Sequence, residues 1–232
     1  MEYVKYRDTT LHGLEFDKSE LYALLGYNNH IPSQDILDMV DELLSSLLNA
    51  CVPHCGYKIC KGQPIDKLHV EVDDILLNTG KVITHAMKDA QYIAVFTATL
   101  GEGFDKWLQE LRLEDNILHD YLANAIGSVL VEGVVAQLMQ DLEFNVQNEG
   151  FSISNNYSPG YCDWILEEQK KIFNILSSQD IRIRLTDSCM MVPVKSVSGI
   201  VAIGEKVKKR PYKCSICKME NCIKNTKKAE YA

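Results

Sequence analysis

The sequence lacks the patterns that identify several large classes of protein. It contains no run of about 18 consecutive apolar residues, so the pattern does not predict a membrane-spanning helix. Its opening stretch, MEYVKYRDTTLHGLEFDK, has no apolar centre of the kind found in signal peptides. It also has no internal repeat and no low-complexity segment. We therefore expect a cytoplasmic protein that does not associate with a membrane.

Common catalytic motifs are missing as well. The sequence contains no nucleophile elbow, no Walker phosphate loop and no H-E-x-x-H pair. It also lacks D-x-H-x-x-G, the pattern that brings a histidine to cobalt in many corrinoid-binding domains. The residues therefore indicate neither a hydrolase nor a protein with its own cobalt ligand.

Charge is distributed unevenly along the chain, which has a net charge of −8. Residues 1–205 carry 15 basic and 30 acidic side chains, whereas residues 206–232 carry nine Lys or Arg against two Glu. An acidic body argues against nucleic acid as a main partner, because phosphate contacts need dense positive charge. The basic tail is predicted to be solvated, or else to contact an acidic partner or its own body.

The hydrophobic pattern predicts one α/β domain of the α+β type, in which a mixed, largely antiparallel sheet packs with helices. We place this domain at residues 1–205 and a short basic, Cys-rich tail at residues 206–232. The stretch YIAVFTATLG is nearly continuous in apolar character, which is typical of a buried strand. The predicted helices are 17–26, one opening at Ser33, 80–89, 104–111, 118–142 and 164–176, and the predicted strands are 69–77, 92–101, 181–185 and 196–204.

Glu132 occupies an unusual position in the longest predicted helix. It lies seven residues after Ala125 and seven before Met139, nearly two helical turns each, and therefore falls within the apolar face. Burial of a carboxylate costs free energy unless the group is paired or neutral. Two interpretations stay open: Glu132 lies at the edge of the apolar stripe, or it forms the wall of a pocket.

The eight cysteines indicate thiols or metal ligands rather than disulfides. Cys51, Cys55 and Cys60 do not match the spacing of radical S-adenosylmethionine enzymes, and buried inert thiols are the simpler interpretation. In the tail, the spacing C-x2-C-x4-C beside many lysines suits a metal, but a closed zinc or iron–sulfur site needs a fourth ligand. This metal-site hypothesis rests on Cys214, Cys217 and Cys222.

The segment NNYSPGYCDW, residues 155–164, places a Pro-Gly pair between two tyrosines. Proline fixes its φ angle and removes a donor, and glycine lets a ligand approach the backbone closely. An aromatic ring beside such a turn can lie against a planar or cationic group. On chemistry alone, an ordinary loop is the simpler interpretation.

The order of four motifs indicates more than any one of them. TATLG at 97–101, IGSVLVEG at 126–133, SPGYCDW at 158–164 and LTDSCMMVPVKSVSG at 185–199 follow one another along the chain. Together they resemble the activation (reactivation) domain of vitamin B12-dependent methionine synthase. The resemblance covers residues 15–225 and is closest to stand-alone versions of that domain, which share the LLGY start seen at 24–27.

The resemblance implies an accessory part of a cobalamin-dependent methyltransferase, methionine synthase. Such a domain binds S-adenosylmethionine and presents its methyl group to a cobalamin held by a separate corrinoid-binding methionine synthase or related methyltransferase. An electron from a flavodoxin-like or ferredoxin-like donor then allows an oxidised cobalamin to be remethylated. The ligand site implied by position comprises Glu132, Asn156, Tyr157, Ser158, Pro159, Gly160, Tyr161, Ser196, Val197, Ser198 and Gly199.

Two positions depart from the family pattern. The family motif is R-x-x-x-G-Y, and Asn156 stands where its arginine would meet the carboxylate of the ligand. Asparagine cannot reproduce a charged two-pronged contact. The aromatic residue that follows S-V-S-G in full-length enzymes is replaced by Ile200 and Val201. Either Arg182 or Arg184 then supplies the missing charge, or the chain is a non-enzymatic corrinoid-protein partner or metal adaptor that no longer binds S-adenosylmethionine.

Overall fold

The fold is known from a computed structural model that describes residues 2–14, 16–27 and 30–210. The tail cysteines Cys214, Cys217 and Cys222 lie outside these residues, as does most of the predicted tail. The helices are α1 (Lys18–Leu24), α2 (Gln34–Ala50), α3 (Gly80–Ala86), α4 (Glu102–Arg112), α5 (Ile117–Gln147) and α6 (Gln169–Ile175), with a short 3-10 turn at Leu166–Glu168 before α6. The strands are β1 (Tyr3–Asp8), β2 (His54–Pro64), β3 (His69–Val72), β4 (Ile75–Asn78), β5 (Tyr92–Thr99), β6 (Ser152–Ile153), β7 (Arg184–Leu185), β8 (Met191–Val192) and β9 (Ser196–Gly204).

Seven strands form one sheet in the order β4-β3-β2-β5-β9-β6, and β1 pairs with the first half of β2. All of the described strand pairs are antiparallel. β5 lies at the centre, where it exchanges hydrogen bonds with β2 on one side and β9 on the other. The prediction of a largely antiparallel sheet packed with helices is therefore confirmed.

Each face of the sheet has its own apolar core because successive side chains of a strand point to opposite faces. On one face, Phe96 and Val201 pack with α2, α4 and α5. On the other face, Val95 and Ile200 pack with α3, α6 and the indole of Trp164. The apolar runs of β5 and β9 are continuous because both faces of these strands are covered.

The long helix α5 is the centre of the first core, and thirteen of its residues are buried. By length and composition it is the one helix in the described part of the chain that could cross a bilayer, with a mean hydropathy of 1.5 over its most apolar window. The sequence of this helix has no run of about 18 consecutive apolar residues, and only its mean hydropathy indicates a possible membrane span. However, 61% of that window is buried inside the protein, as expected for a core helix that passes the same test.

Two predicted strands are wrong in their extent. The predicted strand 69–77 is a hairpin, because Asp73 and Asp74 adopt positive φ angles of 52° and 62° and turn the chain between β3 and β4. Asp tolerates the left-handed region, and two such residues in succession make the tight turn of a hairpin. The predicted strand 181–185 contains only Arg184–Leu185, since Arg182 also has a positive φ of 53°.

The predicted boundary between domain and tail stays a prediction. Within the described residues 206–210, Val207 is buried in the second core and its N–H donates to the carbonyl of Gly204. The backbone N–H of Arg210 donates to the side chain of Asn155, whose amide in turn donates to the carbonyl of Arg210 at 2.6 Å. The first part of the basic segment therefore follows the body of the protein.

Candidate functional site

A cleft of about 810 Å³ opens on the side of the protein where α5 faces α1 and the segment after β6. Its volume lies in the range of about 300–1,000 Å³ that ligand pockets occupy. Its walls come from four separate parts of the chain, namely residues 13–20, one side of α5, residues 153–156 and Lys209. The cleft therefore forms only when the whole domain has folded.

Glu132 is one of the residues that line this cleft. It stands on α5 between Val129 and Ala136, which line the same wall, and its side chain is only partly buried. An interior helix position places it beside the core, and the cleft leaves its carboxylate accessible. This position agrees with both interpretations open from the sequence, since Glu132 lies at the edge of the apolar face and also lines the cleft.

Asn156 reaches the same cleft because the chain runs along the free edge of β9 after β6. Beyond the β6–β9 pair, the N–H of Ser154 donates to the carbonyl of Ala202 at 3.0 Å. Tyr157 and Ile200 then exchange two backbone hydrogen bonds of 3.0 and 2.8 Å. Residues 154–157, the edge segment, are thus held against β9 by hydrogen bonds on both sides of Asn156.

The cleft has a clear charge pattern. Asp17, Glu20 and Glu132 bring three carboxylates to its walls, and Lys209 is the one cationic side chain among its described lining residues. The amides of Asn155, Asn156 and the glutamines of α5 add neutral donors and acceptors. Such a cleft suits a ligand that carries more than one positive group together with hydrogen-bonding groups.

Asp17 is held in place as the N-cap of α1. Its carboxylate accepts from the backbone N–H groups of Ser19 at 2.8 Å and Glu20 at 3.2 Å, and from the Ser19 hydroxyl at 2.5 Å. The hydrogen bond from the Ser19 hydroxyl and that from the Glu20 N–H lower the pKa of this carboxyl below its ordinary value. A fixed anion therefore stands at the cleft at neutral pH.

The predicted ligand turn lies beyond the residues that line the cleft. Tyr157, Ser158, Pro159, Gly160 and Tyr161 follow Asn156 along the chain, and none of them is a lining residue. Gly160 has a φ angle of 91°, its N–H donates to the carbonyl of Trp164 at 2.7 Å, and the ring of Tyr161 is half exposed. The turn is well defined and presents an aromatic ring to solvent.

The predicted residues of β9 also lie outside the cleft lining. Ser198 alternates with Ile200 and Ala202, whose side chains pack in the second core, on the face of the sheet opposite α5. The Ser196 hydroxyl lies 2.8 Å from that of Thr99 and 2.7 Å from the carbonyl of Pro193. The structure brings Glu132 and Asn156 together and keeps these serines apart from them.

Three of the described cysteines lie in environments that disfavour the reactive thiolate. Cys51, Cys55 and Cys60 are all buried, and burial raises the pKa of Cys51 to about 12 and that of Cys60 to about 11. No group of three or more His, Cys, Asp or Glu is placed to hold a metal ion within the described residues. The tail hypothesis concerns Cys214, Cys217 and Cys222, which the structure does not describe.

The sequence did not identify Asp17, Glu20 and Lys209 as residues of the site. Arg182, predicted to supply a cation, pairs instead with Asp8 at 2.6 Å and Asp180 at 3.3 Å. Neither Arg182 nor Arg184 lines the cleft. Lys209 lies in a run of basic residues, and Asp17 shows only the pattern of a helix N-cap. No local signal in the sequence therefore distinguishes either residue from an ordinary surface charge.

Comparison with known proteins identifies the same fold. A family model described as vitamin B12 dependent methionine synthase, activation domain, matches residues 80–229. The crystal structure of the MetH reactivation domain bound to AdoHcy is similar to this chain with a TM-score of 0.70 at 15% identity, covering 89% of this chain and 80% of that one. No curated protein sequence matches the chain. The resemblance inferred from the four motifs is confirmed.

Proposed function

The chain belongs to the family of vitamin B12-dependent methionine synthase activation domains, and we propose that it binds S-adenosylmethionine and supports the remethylation of a cobalamin held by another protein. Membership of this family supports a role in reactivation of the methyltransferase. The observation that carries the finer proposal is the cleft shared by Glu132 and Asn156, two positions that the resemblance assigns to the ligand.

The charges of the cleft suit this ligand. S-adenosylmethionine carries a sulfonium and an ammonium group, and three carboxylates on the walls would stabilise these two positive charges. The adenosine and amino acid ends offer further donors and acceptors to Asn155, Asn156 and the glutamines of α5. The volume of about 810 Å³ is large enough for a molecule of this size.

In the proposed reaction, one electron from the donor reduces cob(II)alamin to cob(I)alamin, and the cobalt then takes the methyl group as the carbon–sulfur bond breaks, leaving S-adenosylhomocysteine. The chain itself forms no covalent bond in this scheme. Its contribution is to hold the sulfonium in a fixed orientation toward the partner, so that proximity and electrostatics supply the rate effect.

The test is calorimetric titration of the purified, reduced protein with S-adenosylmethionine. We expect micromolar affinity, on the order of −8 kcal/mol, for the wild type. Glu132→Gln should weaken this affinity about tenfold, because it removes the negative charge of a partly buried carboxylate that would face the cationic ligand. Glu110→Gln, an exposed residue of α4 outside the cleft lining, is the control and should bind like the wild type. An absence of binding at millimolar ligand would contradict the proposal.

A second test addresses the turn. We expect Tyr161→Ala to abolish remethylation of cobalamin on a partner methyltransferase, because the exposed ring follows the Gly160 turn that the resemblance places at the ligand. Undiminished remethylation by the variant would remove Tyr161 from the site, whereas loss of remethylation with unchanged ligand affinity would assign Tyr161 to the partner interface.

Asn156 supports one alternative function, that of a corrinoid-protein partner that no longer binds S-adenosylmethionine. Asn156 lines the cleft where the family has an arginine, so the strongest carboxylate contact is missing. In that case Asn156→Arg should create measurable binding in a protein that has none. Strong binding by the wild type would contradict this alternative.

The metal or redox function of the tail stays a separate prediction. It rests on Cys214, Cys217 and Cys222 and on their spacing. Metal analysis of the purified protein beside its triple serine variant tests it. Equal metal content and equal thiol reactivity of the two proteins would end the hypothesis.

A further inference from the structure

We infer that Lys209 binds the carboxylate of the ligand in place of the arginine that Asn156 replaces. This inference rests on the proposed binding of S-adenosylmethionine. It concerns a residue that lies outside the four motifs and 53 positions after Asn156 in the sequence. The two side chains line the same cleft.

A pair of hydrogen bonds joins the segment that contains Lys209 to the segment that contains Asn156. The side chain of Asn155 accepts from the backbone N–H of Arg210 at 3.3 Å, and its amide donates to the carbonyl of Arg210 at 2.6 Å. This contact joins the residue before Asn156 to the residue after Lys209. The segment that follows β9 is therefore attached to the edge segment at the point where the family arginine would stand.

The ammonium group of Lys209 has a resting position that a ligand can displace. It lies 2.7 Å from the carboxylate of Glu143, and the two side chains are 51% and 30% exposed. Exposed ion pairs contribute little to stability because water and salt screen them. A carboxylate bound in the cleft can therefore take over the ammonium group at low cost, since the lysine stem is long and flexible.

The charge balance of the cleft supports the same assignment. S-adenosylmethionine has two positive groups and one carboxylate, and the walls present three carboxylates and, among the described lining residues, one cation. If Lys209 did not meet the ligand carboxylate, that group would face only neutral and acidic side chains among the described lining residues. Like charges placed together disfavour binding, so the one described cation on the walls is the favoured partner of this carboxylate.

The test compares S-adenosylmethionine with its decarboxylated analogue, which lacks only the carboxylate. The wild type should bind S-adenosylmethionine about tenfold more tightly than the analogue, which corresponds to about 1.4 kcal/mol. Lys209→Met should lose this preference while its affinity for the analogue stays unchanged. Lys208→Met is the matched control, because Lys208 is exposed and does not line the cleft.

A second variant tests the resting ion pair. Glu143→Gln removes the competing carboxylate and should increase the affinity for S-adenosylmethionine about two- to threefold, with no change for the analogue. A merely structural role of Lys209 predicts the opposite, because loss of the pair would then weaken both ligands alike.

The outcomes distinguish failure of the proposed function from failure of the role of Lys209. If the wild type binds neither ligand, the proposed function fails and the role of Lys209 fails with it. If the wild type binds both ligands equally, or if Lys209→Met keeps the preference, the proposed function stands and the role of Lys209 is overturned. Loss of both ligands by Lys209→Met would assign the residue to the integrity of the cleft and would also overturn it.

Discussion

The backbone carbonyl oxygen of Tyr157 lies 2.3 Å from the point where a Cβ atom on Gly199 would stand. Gly199 has no such atom, so the edge segment can lie directly over β9 and exchange two hydrogen bonds with Ile200. The ring of Phe96 occupies the remaining space, 2.8 Å from the same point. The glycine of the S-V-S-G motif is therefore needed for the path of the chain that carries Asn156.

We expect Gly199→Ala to destabilise the protein by about 1–3 kcal/mol, the usual cost of overpacking where the neighbouring atom is backbone. The control is Ser198→Ala at the adjacent position. The Ser198 hydroxyl is buried without a hydrogen-bond partner among the described residues, so its removal should be neutral or slightly stabilising. Urea denaturation measures both, and equal stabilities of the two variants would contradict the close approach.

Glu168 joins α6 to the hairpin of β3 and β4. It is buried, its carboxylate accepts from the N–H of Asn78 at 2.9 Å, and it also accepts from Lys171 at 2.7 Å. Glu168→Ala leaves the Asn78 N–H unpaired and should cost about 1.5–3 kcal/mol, the range for hydrogen bonds to charged groups. Glu167→Ala changes an exposed neighbour and should alter the free energy of unfolding by less than about 0.5 kcal/mol. A comparable loss for both variants would argue against the contact.

The N-cap of α1 gives a prediction about pH. The pKa of Asp17 is lower in the folded protein than in the unfolded chain, chiefly because of the hydrogen bond from the Ser19 hydroxyl. Its stabilising effect is therefore present above the unfolded value of about 3.9 and is lost as the pH falls through the lower folded value. Asp17→Ala should cost about 1 kcal/mol at pH 7, and this cost should shrink as the pH falls below about 3.9.

Asp17→Asn serves as the control for the same experiment. Asparagine caps a helix as well as aspartate does, so this variant should keep near-wild-type stability at pH 7. It has no titrating carboxyl, and its stability difference from Asp17→Ala should not change between pH 5 and pH 3. Unfolding free energies from denaturant titrations at several pH values provide the measurement.

Lys195 gives a second pH dependence, which lies in the alkaline range. Burial lowers the pKa of its ammonium group, although Asp105 and Asp120 act against this, and the group lies 3.0 Å from the Ser128 hydroxyl. The unfolded chain then binds this proton more tightly, so the contribution of Lys195 to stability rises with pH between the folded value and about 10.4.

Lys195→Met should remove this rise, because it removes the ammonium group, which lies 5.9 Å from the centroid of the Phe104 ring, and keeps a side chain of similar length. The stability difference between wild type and variant should therefore change as the pH rises toward the unfolded value of about 10.4. Lys106→Met, at a side chain that is 73% exposed, should show the same pH dependence as the wild type. Parallel pH profiles for all three proteins would show that the Lys195 site is solvated.

The long, strongly patterned elements could be predicted from the sequence. The helix 118–142 is α5, 31 residues from Ile117 to Gln147, and the predicted strand 196–204 agrees with β9 residue for residue. β2 was not predicted as a strand because both of its faces are buried over Cys55–Tyr57, which removes the alternation that marks a half-exposed strand. β1 is short and pairs only at the edge, so its pattern carried little signal.

The sequence by itself determined the family, the α/β class, the position of Glu132 on an apolar helix and the presence of Asn156 before the Pro-Gly turn. These are local or ordered features, and residue type and spacing are enough to identify them. The tertiary structure alone decided that Asp17, Glu132, Asn156 and Lys209 share one cleft. Their contacts join residues far apart in the chain, and such contacts depend on how helices and strands pack rather than on the residues beside them in the sequence.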